Sequence, residues 1–309
     1  MSLFRPVSFR LVVIIACQLG CTLGSHAQTT GNAPATQLDK LTVSTPPVPG
    51  ENQAMGGYLQ PEWTARRRFI TTRVYVQPEG QAEVEVGYDS AQPADGPRTQ
   101  LLRQEFELGL PHRFQVDLEN TFQDFKEGGT DARSWHHDST AVEVRYALAD
   151  WGKLPLNPTV SFAWKANTGA ADAYEAQLLL GTEFTPRWHW GLNFIHEEHV
   201  GDDRHREQAV SQGISYSLLN EKLNVGAEMR YSEESDFDTR GHPERRLAIG
   251  PSFQWRPSDR THLDLVPMWG TTREAAHWEV FLFFGFEFGA GSDDGDDHPR
   301  VEPASLRGR

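Results

Sequence analysis

Apolar and polar residues alternate along most of this 309-residue chain. Every second residue from position 278 to position 288 is Trp, Val, Leu or Phe, and from 223 to 231 the alternate positions are Leu, Val, Ala, Met and Tyr. A helix would need apolar residues at steps of three and four, whereas successive side chains of a strand point to opposite faces. The alternation therefore predicts an all-β fold.

Segment length indicates what surrounds the sheet. Twelve segments alternate, namely 81–89, 99–110, 113–124, 138–149, 157–167, 173–184, 187–197, 207–218, 221–232, 245–256, 260–269 and 277–288. A tilted membrane-spanning strand needs roughly 9–11 residues, whereas strands of soluble proteins average about five or six. Hydrocarbon offers no partner to backbone groups, so a sheet in lipid must close on itself. We therefore predict a closed antiparallel transmembrane β-barrel of about 12 strands.

The connections between these segments alternate between long and short. The long ones cover 90–98, 125–137, 167–172, 198–206, 233–244 and 270–276. The short ones cover 110–113, 150–156, 185–187, 219–221 and 256–260. Bacterial outer-membrane barrels have long loops outside and short turns in the periplasm. This pattern predicts the outer membrane as the location and places both ends of the barrel on the short-turn side.

The first residues have the layout of a secretory signal peptide. Arg5 and Arg10 precede a short apolar run, and small residues follow up to Ala27. The run is too short for a stable transmembrane helix, so we expect residues 1–27 to be removed after export. A short anchor and lipidation at Cys21 are the alternatives.

Composition divides the remaining chain. Residues 28–57 are rich in Thr, Pro and Gly and predict a flexible linker, and residues 290–309 predict a disordered acidic tail. The barrel is assigned to residues 81–289. Residues 69–77 also look like a strand, but a crossing there would put the N-terminus outside. We therefore expect residues 58–80 to form a periplasmic or lumenal segment.

The polar rows of the strands are expected to face the lumen. The predicted lumen-lining residues are Arg103, Glu105, Glu107, Arg113, Asp117, Glu119, Glu143, Arg145, Lys165, Glu228, Arg230 and Asp264. A barrel of this size is wider than the eight-stranded case that side chains fill. The sequence allows two interpretations of the lumen. It is either a narrow polar channel of mild cation preference, or it is filled by these side chains and by residues 58–80.

Charge and motifs limit the function further. The chain has 43 acidic and 29 basic residues, which argues against nucleic acid as a partner. The sequence His-Glu-Glu-His at 196–199 has histidines three apart instead of the four of a zinc-protease helix, and on a strand they face opposite sides. We expect no catalytic residue, metal site or cofactor, and an oligomeric state cannot be read from the sequence.

One stretch of the chain resembles a known family. Residues 76–88 read VQPEGQAEVEVGY, followed by a strand over 101–116 that is interrupted by Gly109-Leu110-Pro111. This pattern resembles the outer-membrane barrel family of the MetA-pathway phenol-degradation type, a group of transporter-like proteins, over about residues 70–289. The family implies passage of small solutes, including aromatic or hydrophobic ones. Unlike such barrels, this chain continues for about twenty residues after Phe288.

The leading hypothesis is a non-enzymatic outer-membrane channel or transporter-like barrel for small solutes. Its expected partners are outer-membrane lipid, a small-molecule solute and the barrel-insertion machinery. The alternative is a closed outer-membrane barrel with a structural or surface-binding role through its acidic loops. An outer-membrane hydrolase is the third and weakest hypothesis.

Overall fold

The computed structural model describes residues 54–126, 133–201, 204–219 and 222–289. The predicted signal peptide, the linker up to residue 53 and the acidic tail lie outside the described residues. Within these ranges no helix has the length and apolar content that a membrane crossing needs.

The described residues form a closed antiparallel barrel of twelve strands. Each strand pairs with the next along the chain, and the last strand pairs with the first to close the ring. The strands are β3 Gln81–Gln92, β4 Thr99–Leu110, β5 Phe114–Lys126, β6 Arg133–Ala147, β7 Thr159–Asn167, β8 Ala173–Thr185, β9 Trp188–His199, β10 Arg206–Leu218, β11 Leu223–Ser235, β12 Glu244–Ser258, β13 Thr261–Gly270 and β14 Trp278–Gly289. The predicted fold class and strand count are confirmed.

Three small elements precede the barrel. They are β1 Ala54–Met55, which pairs with β2 Gln60–Pro61, and the single-turn helix α1 Glu62–Ala65. Residues 66–80 then have no regular structure, and β3 begins at Gln81. We call residues 58–80 the plug.

Strand boundaries agree with the sequence pattern to within a few residues, and the two largest differences have physical causes. Strand β6 begins at Arg133, inside the predicted long loop, because backbone pairing with β5 continues beyond the apolar alternation. The connection 148–158 is longer than the predicted short turn, because prolines at 155 and 158 have no N–H for a ladder. Leu156 and Asn157 in this connection also have positive φ.

The two faces of the barrel differ sharply in polarity. Outward-facing Phe162, Ile249 and Phe284 are 52%, 48% and 48% exposed, and ten of the twelve barrel strands carry exposed large apolar residues of this kind. A water-soluble protein seldom leaves so large a continuous apolar surface uncovered. The outer face therefore matches the apolar band of a transmembrane barrel.

Candidate functional site

The plug lies inside the barrel, at the end where the short turns connect the strands. Trp63 and Phe69 are almost completely buried, and Val74 and Tyr75 belong to the same apolar cluster. Trp151, from the connection 148–158, closes this cluster by edge-on contacts with the Trp63 and Tyr75 rings, 5.6 and 5.3 Å between centroids. The lower lumen is thus packed like a protein core.

Glycines in the wall make room for the plug. A Cβ added at Gly213 would overlap the Phe69 ring, and one at Gly181 would overlap Val74. Both glycines face inward, where any larger residue would push the plug away from the wall. The close fit indicates that the wall sequence is adapted to this occupant.

Hydrogen bonds fix the plug backbone to opposite sides of the wall. The carboxylate of Glu228 accepts bonds from the Ile70 and Thr71 backbone N–H groups, at 3.2 and 2.7 Å, and from the Thr71 hydroxyl. Across the lumen, the Gln77 N–H donates to Gln115 Oε1 at 2.6 Å. These bonds satisfy backbone groups that have no strand partner and would otherwise be buried alone.

A charged cluster links the plug to strands β3 and β4. Arg73 Nη2 lies 2.9 Å from Glu105 Oε1 and 2.8 Å from Glu107 Oε1. Arg67 pairs with Glu85 and lies 3.3 Å from Glu105. Burial alone would lower the pKa of Arg73, but Glu105 and Glu107 outweigh it and hold that pKa above its usual value. The Arg73 guanidinium therefore remains charged inside the lumen.

Above the plug, the lumen widens into a cavity of about 540 Å³ that extends to the long-loop end. We call this cavity the vestibule. Its ionised side chains pair along the wall: Arg103 with Asp89 at 2.6 Å, Lys165 with Glu197 at 2.7 Å, and Arg230 with Glu207 at 2.7 Å. The floor of the vestibule includes Arg67 and Arg73 of the plug.

The structure groups the residues predicted to line the lumen by depth. Arg103, Glu119, Glu143, Lys165 and Arg230 border the vestibule. Glu105, Glu107 and Glu228 contact the plug, as described above. Asp117 and Glu143 each lie 3.0 Å from Arg145, whose Nη1 donates to the backbone carbonyl of Tyr75 at 3.5 Å.

Two predicted residues have different surroundings. Asp264 hydrogen-bonds to His262, which also contacts Glu83. Arg113 lies in the turn Pro111–Arg113 instead of the wall and pairs with Asp150 at 2.9 Å. The prediction began β5 one residue too early, because Arg113 has a positive φ that a strand residue does not adopt.

The sequence pattern missed the two plug arginines. Arg67 lies outside any alternating segment, and Arg73 lies in the strand-like stretch 69–77 that is not assigned to the barrel, so strand periodicity does not identify either as lumen-lining. The only signal was a run of three arginines at 66–68 in a chain with an acidic excess. In the His-Glu-Glu-His segment, the His196 ring lies tilted against Tyr174, with ring centroids 6.0 Å apart, whereas the His199 ring lies 5.3 Å from that of His205.

Among the described residues, two buried groups have the composition of a metal site: Glu83 with His262 and Glu287, and Glu85 with Glu105 and Glu107. Ligand atoms of Glu83, His262 and Glu287 lie within 4.8 Å of one another. Arg256 pairs with Glu287 at 2.8 Å, and Asp264 bonds to His262, so the charges of this group already have protein partners.

Comparisons with known proteins concern the fold. No family model matches the chain, and no curated protein matches it, so the resemblance to the phenol-degradation family stays a prediction. The barrel is similar to an outer membrane channel from Pseudomonas putida F1, at 11% identity over 70% of this chain and 98% of that chain, with a TM-score of 0.49. It is also similar to the NanC porin, at 12% identity, 66% and 98% coverage and a TM-score of 0.48. A third similar structure is the KdgM porin, at 8% identity over 67% of this chain and 99% of that chain, with a TM-score of 0.47.

Proposed function

We propose that this chain is a non-enzymatic outer-membrane channel for small solutes whose lumen is closed, in the state described, by its own plug. The observation that carries the proposal is the vestibule: a charged cavity of about 540 Å³ whose floor is a separate segment of chain. A lumen closed only by wall side chains would be a solid core. Here the wall encloses a wide space, and a segment that enters from one end fills its lower half.

The plug contacts are compatible with movement. In the salt bridges between plug and wall, the attraction between the charged groups is largely offset by the loss of their hydration, so the net free energy gained by forming them is small. The apolar contacts of Trp63 and Phe69 oppose release more strongly. We therefore expect the closed state to dominate and openings to be rare.

A closed barrel with a structural or surface-binding role is the second candidate. The packed lower lumen favours it, because Trp63 and Phe69 of the plug are buried there in an apolar cluster. The two candidates differ in one property: only the channel conducts when the plug loosens.

Planar bilayers distinguish the two candidates. The full chain should give rare discrete current steps, and Glu228→Gln should make them more frequent, because it weakens the bonds to Ile70 and Thr71. Glu175→Gln is the matched control, since Glu175 lines the vestibule and hydrogen-bonds to Gln177 on its own strand. If all three proteins are silent, the closed-barrel function replaces the channel.

A further inference from the structure

Acidic residues occupy facing positions across four neighbouring strands of the wall. In the register of β3 and β4, Glu83 lies opposite Glu107 and Glu85 lies opposite Glu105. The next ladders continue the pattern: Glu107 opposite Asp117, Glu105 opposite Glu119, and Asp117 opposite Glu143. Like charges directly opposite each other destabilise a sheet, so this part of the wall needs cations from elsewhere.

The wall supplies only part of that charge. On the same four strands, Arg145 lies 3.0 Å from both Asp117 and Glu143, and Arg103 pairs with Asp89 and Glu119. Glu83 pairs with His262 of β13, which also lies 3.6 Å from Glu85. The carboxylates of Glu85, Glu105 and Glu107 have no arginine partner among the described residues of the wall, and their oxygen atoms lie within 4.8 Å of one another. We call these three residues the carboxylate pocket.

The plug provides the cations that occupy the carboxylate pocket. Arg73 Nη2 lies 2.9 Å from both oxygens of Glu105, and Arg67 pairs with Glu85 on the other side. Both arginines also border the vestibule, as does Glu105. A small solute in the vestibule can therefore reach the position that a guanidinium group of the chain itself now fills.

We propose that Arg67 and Arg73 are internal stand-ins for a cationic solute, so that small guanidinium or ammonium compounds compete with them for the carboxylate pocket and favour release of the plug. That these cations are transported solutes rests on the proposed channel function. The competition adds to that function a solute class, small organic cations, and the residues that select it. Once the plug is displaced, the exposed carboxylates make the lumen cation-selective.

A thiol assay tests the competition without any current. Ala65 in the plug is 1% exposed, so Ala65→Cys, in a full chain with Cys17 and Cys21 replaced by Ser, reports plug release by reaction with a charged thiol reagent. Guanidinium chloride should speed labelling about fivefold over sodium chloride at the same non-denaturing ionic strength. Equal rates in the two salts would overturn the proposal, and this comparison needs no change in the pocket.

Variants then assign the effect to the pocket. Arg67→Gln with Arg73→Gln should label at least about tenfold faster in sodium chloride, because the plug loses its charge partners. The matched control, Arg245→Gln with Arg246→Gln, removes the same charge from strand β12, where these arginines pair with Glu233 and Glu234, and should label at the original rate. Glu105→Gln with Glu107→Gln should abolish the difference between the two salts; a persisting difference would contradict the role of the pocket.

Ion selectivity is the second readout. In bilayers under a potassium chloride gradient, the Arg67→Gln, Arg73→Gln protein should show a reversal potential favouring potassium, and adding the two glutamine substitutions in the pocket should move it towards zero. A preference for chloride would overturn the proposal. Silent bilayers together with guanidinium-specific labelling would reject the channel function while supporting the cation competition.

Discussion

The two halves of the lumen are enclosed by the same twelve strands, but only the short-turn half is filled by the plug. In the short-turn half, inward-facing His189 and Gln115 are fully buried under the plug. In the long-loop half, inward-facing Lys165 and Arg230 keep about a third of their side-chain surface exposed, 33% and 34%. The comparison shows that strand alternation decides which residues face inward, whereas the presence or absence of the plug decides whether they form a core or line a cavity.

The largest expected effect is in the packed half. Trp63→Ala removes a fully buried ring and should weaken plug docking by about 3–5 kcal/mol, which corresponds to a hundredfold or greater rise in Ala65→Cys labelling at about 1.4 kcal/mol per decade. Trp135→Ala is the control, because Trp135 is 46% exposed and lies far from the plug in the register of β6. Unchanged labelling in Trp63→Ala would mean that the lower lumen is not held by packing.

A smaller effect is expected where the wall makes room for the plug. Gly213→Val would force a side chain into the Phe69 ring and should cost about 1–3 kcal/mol of docking free energy. Trypsin can measure this, since the arginines at 66–68 become accessible only when the plug leaves. Gly57→Ala is a suitable control, because its added Cβ meets no atom within 4 Å. Equal cleavage of the two variants would remove the steric argument.

The smallest effect is expected in the vestibule. Arg230→Gln breaks a partly exposed pair with Glu207, and such pairs contribute about 0–1 kcal/mol. The temperature at which the barrel unfolds, followed by the shift in its electrophoretic mobility, should change little. A large loss of stability would show that the vestibule is as tightly packed as the lower lumen and would erase the difference between the halves.

Much of the barrel was predictable because its signal is local. Alternation placed Glu105, Glu107 and Glu228 on the inner face. The plug was not predictable in the same way. Arg67 lies outside the alternating segments, Arg73 lies in a strand-like stretch that does not join the barrel, and their partners are on strands that are distant in sequence. The sequence left open whether residues 58–80 are periplasmic or lumenal, and only the tertiary contacts of Phe69, Val74 and Tyr75 decide it.

Arg113 and the connection 148–158 show a second limit. Both lie where backbone conformation, set by positive φ and by proline, outweighs the side-chain pattern. The same connection supplies Trp151, whose ring packs edge-on against Trp63, so its partner is the plug.

Pinning the plug tests the central claim, that a channel is closed by its own chain, most directly. The Thr72 and Ser211 side-chain oxygens lie 3.1 Å apart, so Thr72→Cys with Ser211→Cys can form a disulfide between plug and wall after small adjustments. Single-channel recording should show no current steps in the oxidised protein and discrete steps after reduction. Steps of equal size and frequency in both redox states, or none in either, would contradict the account.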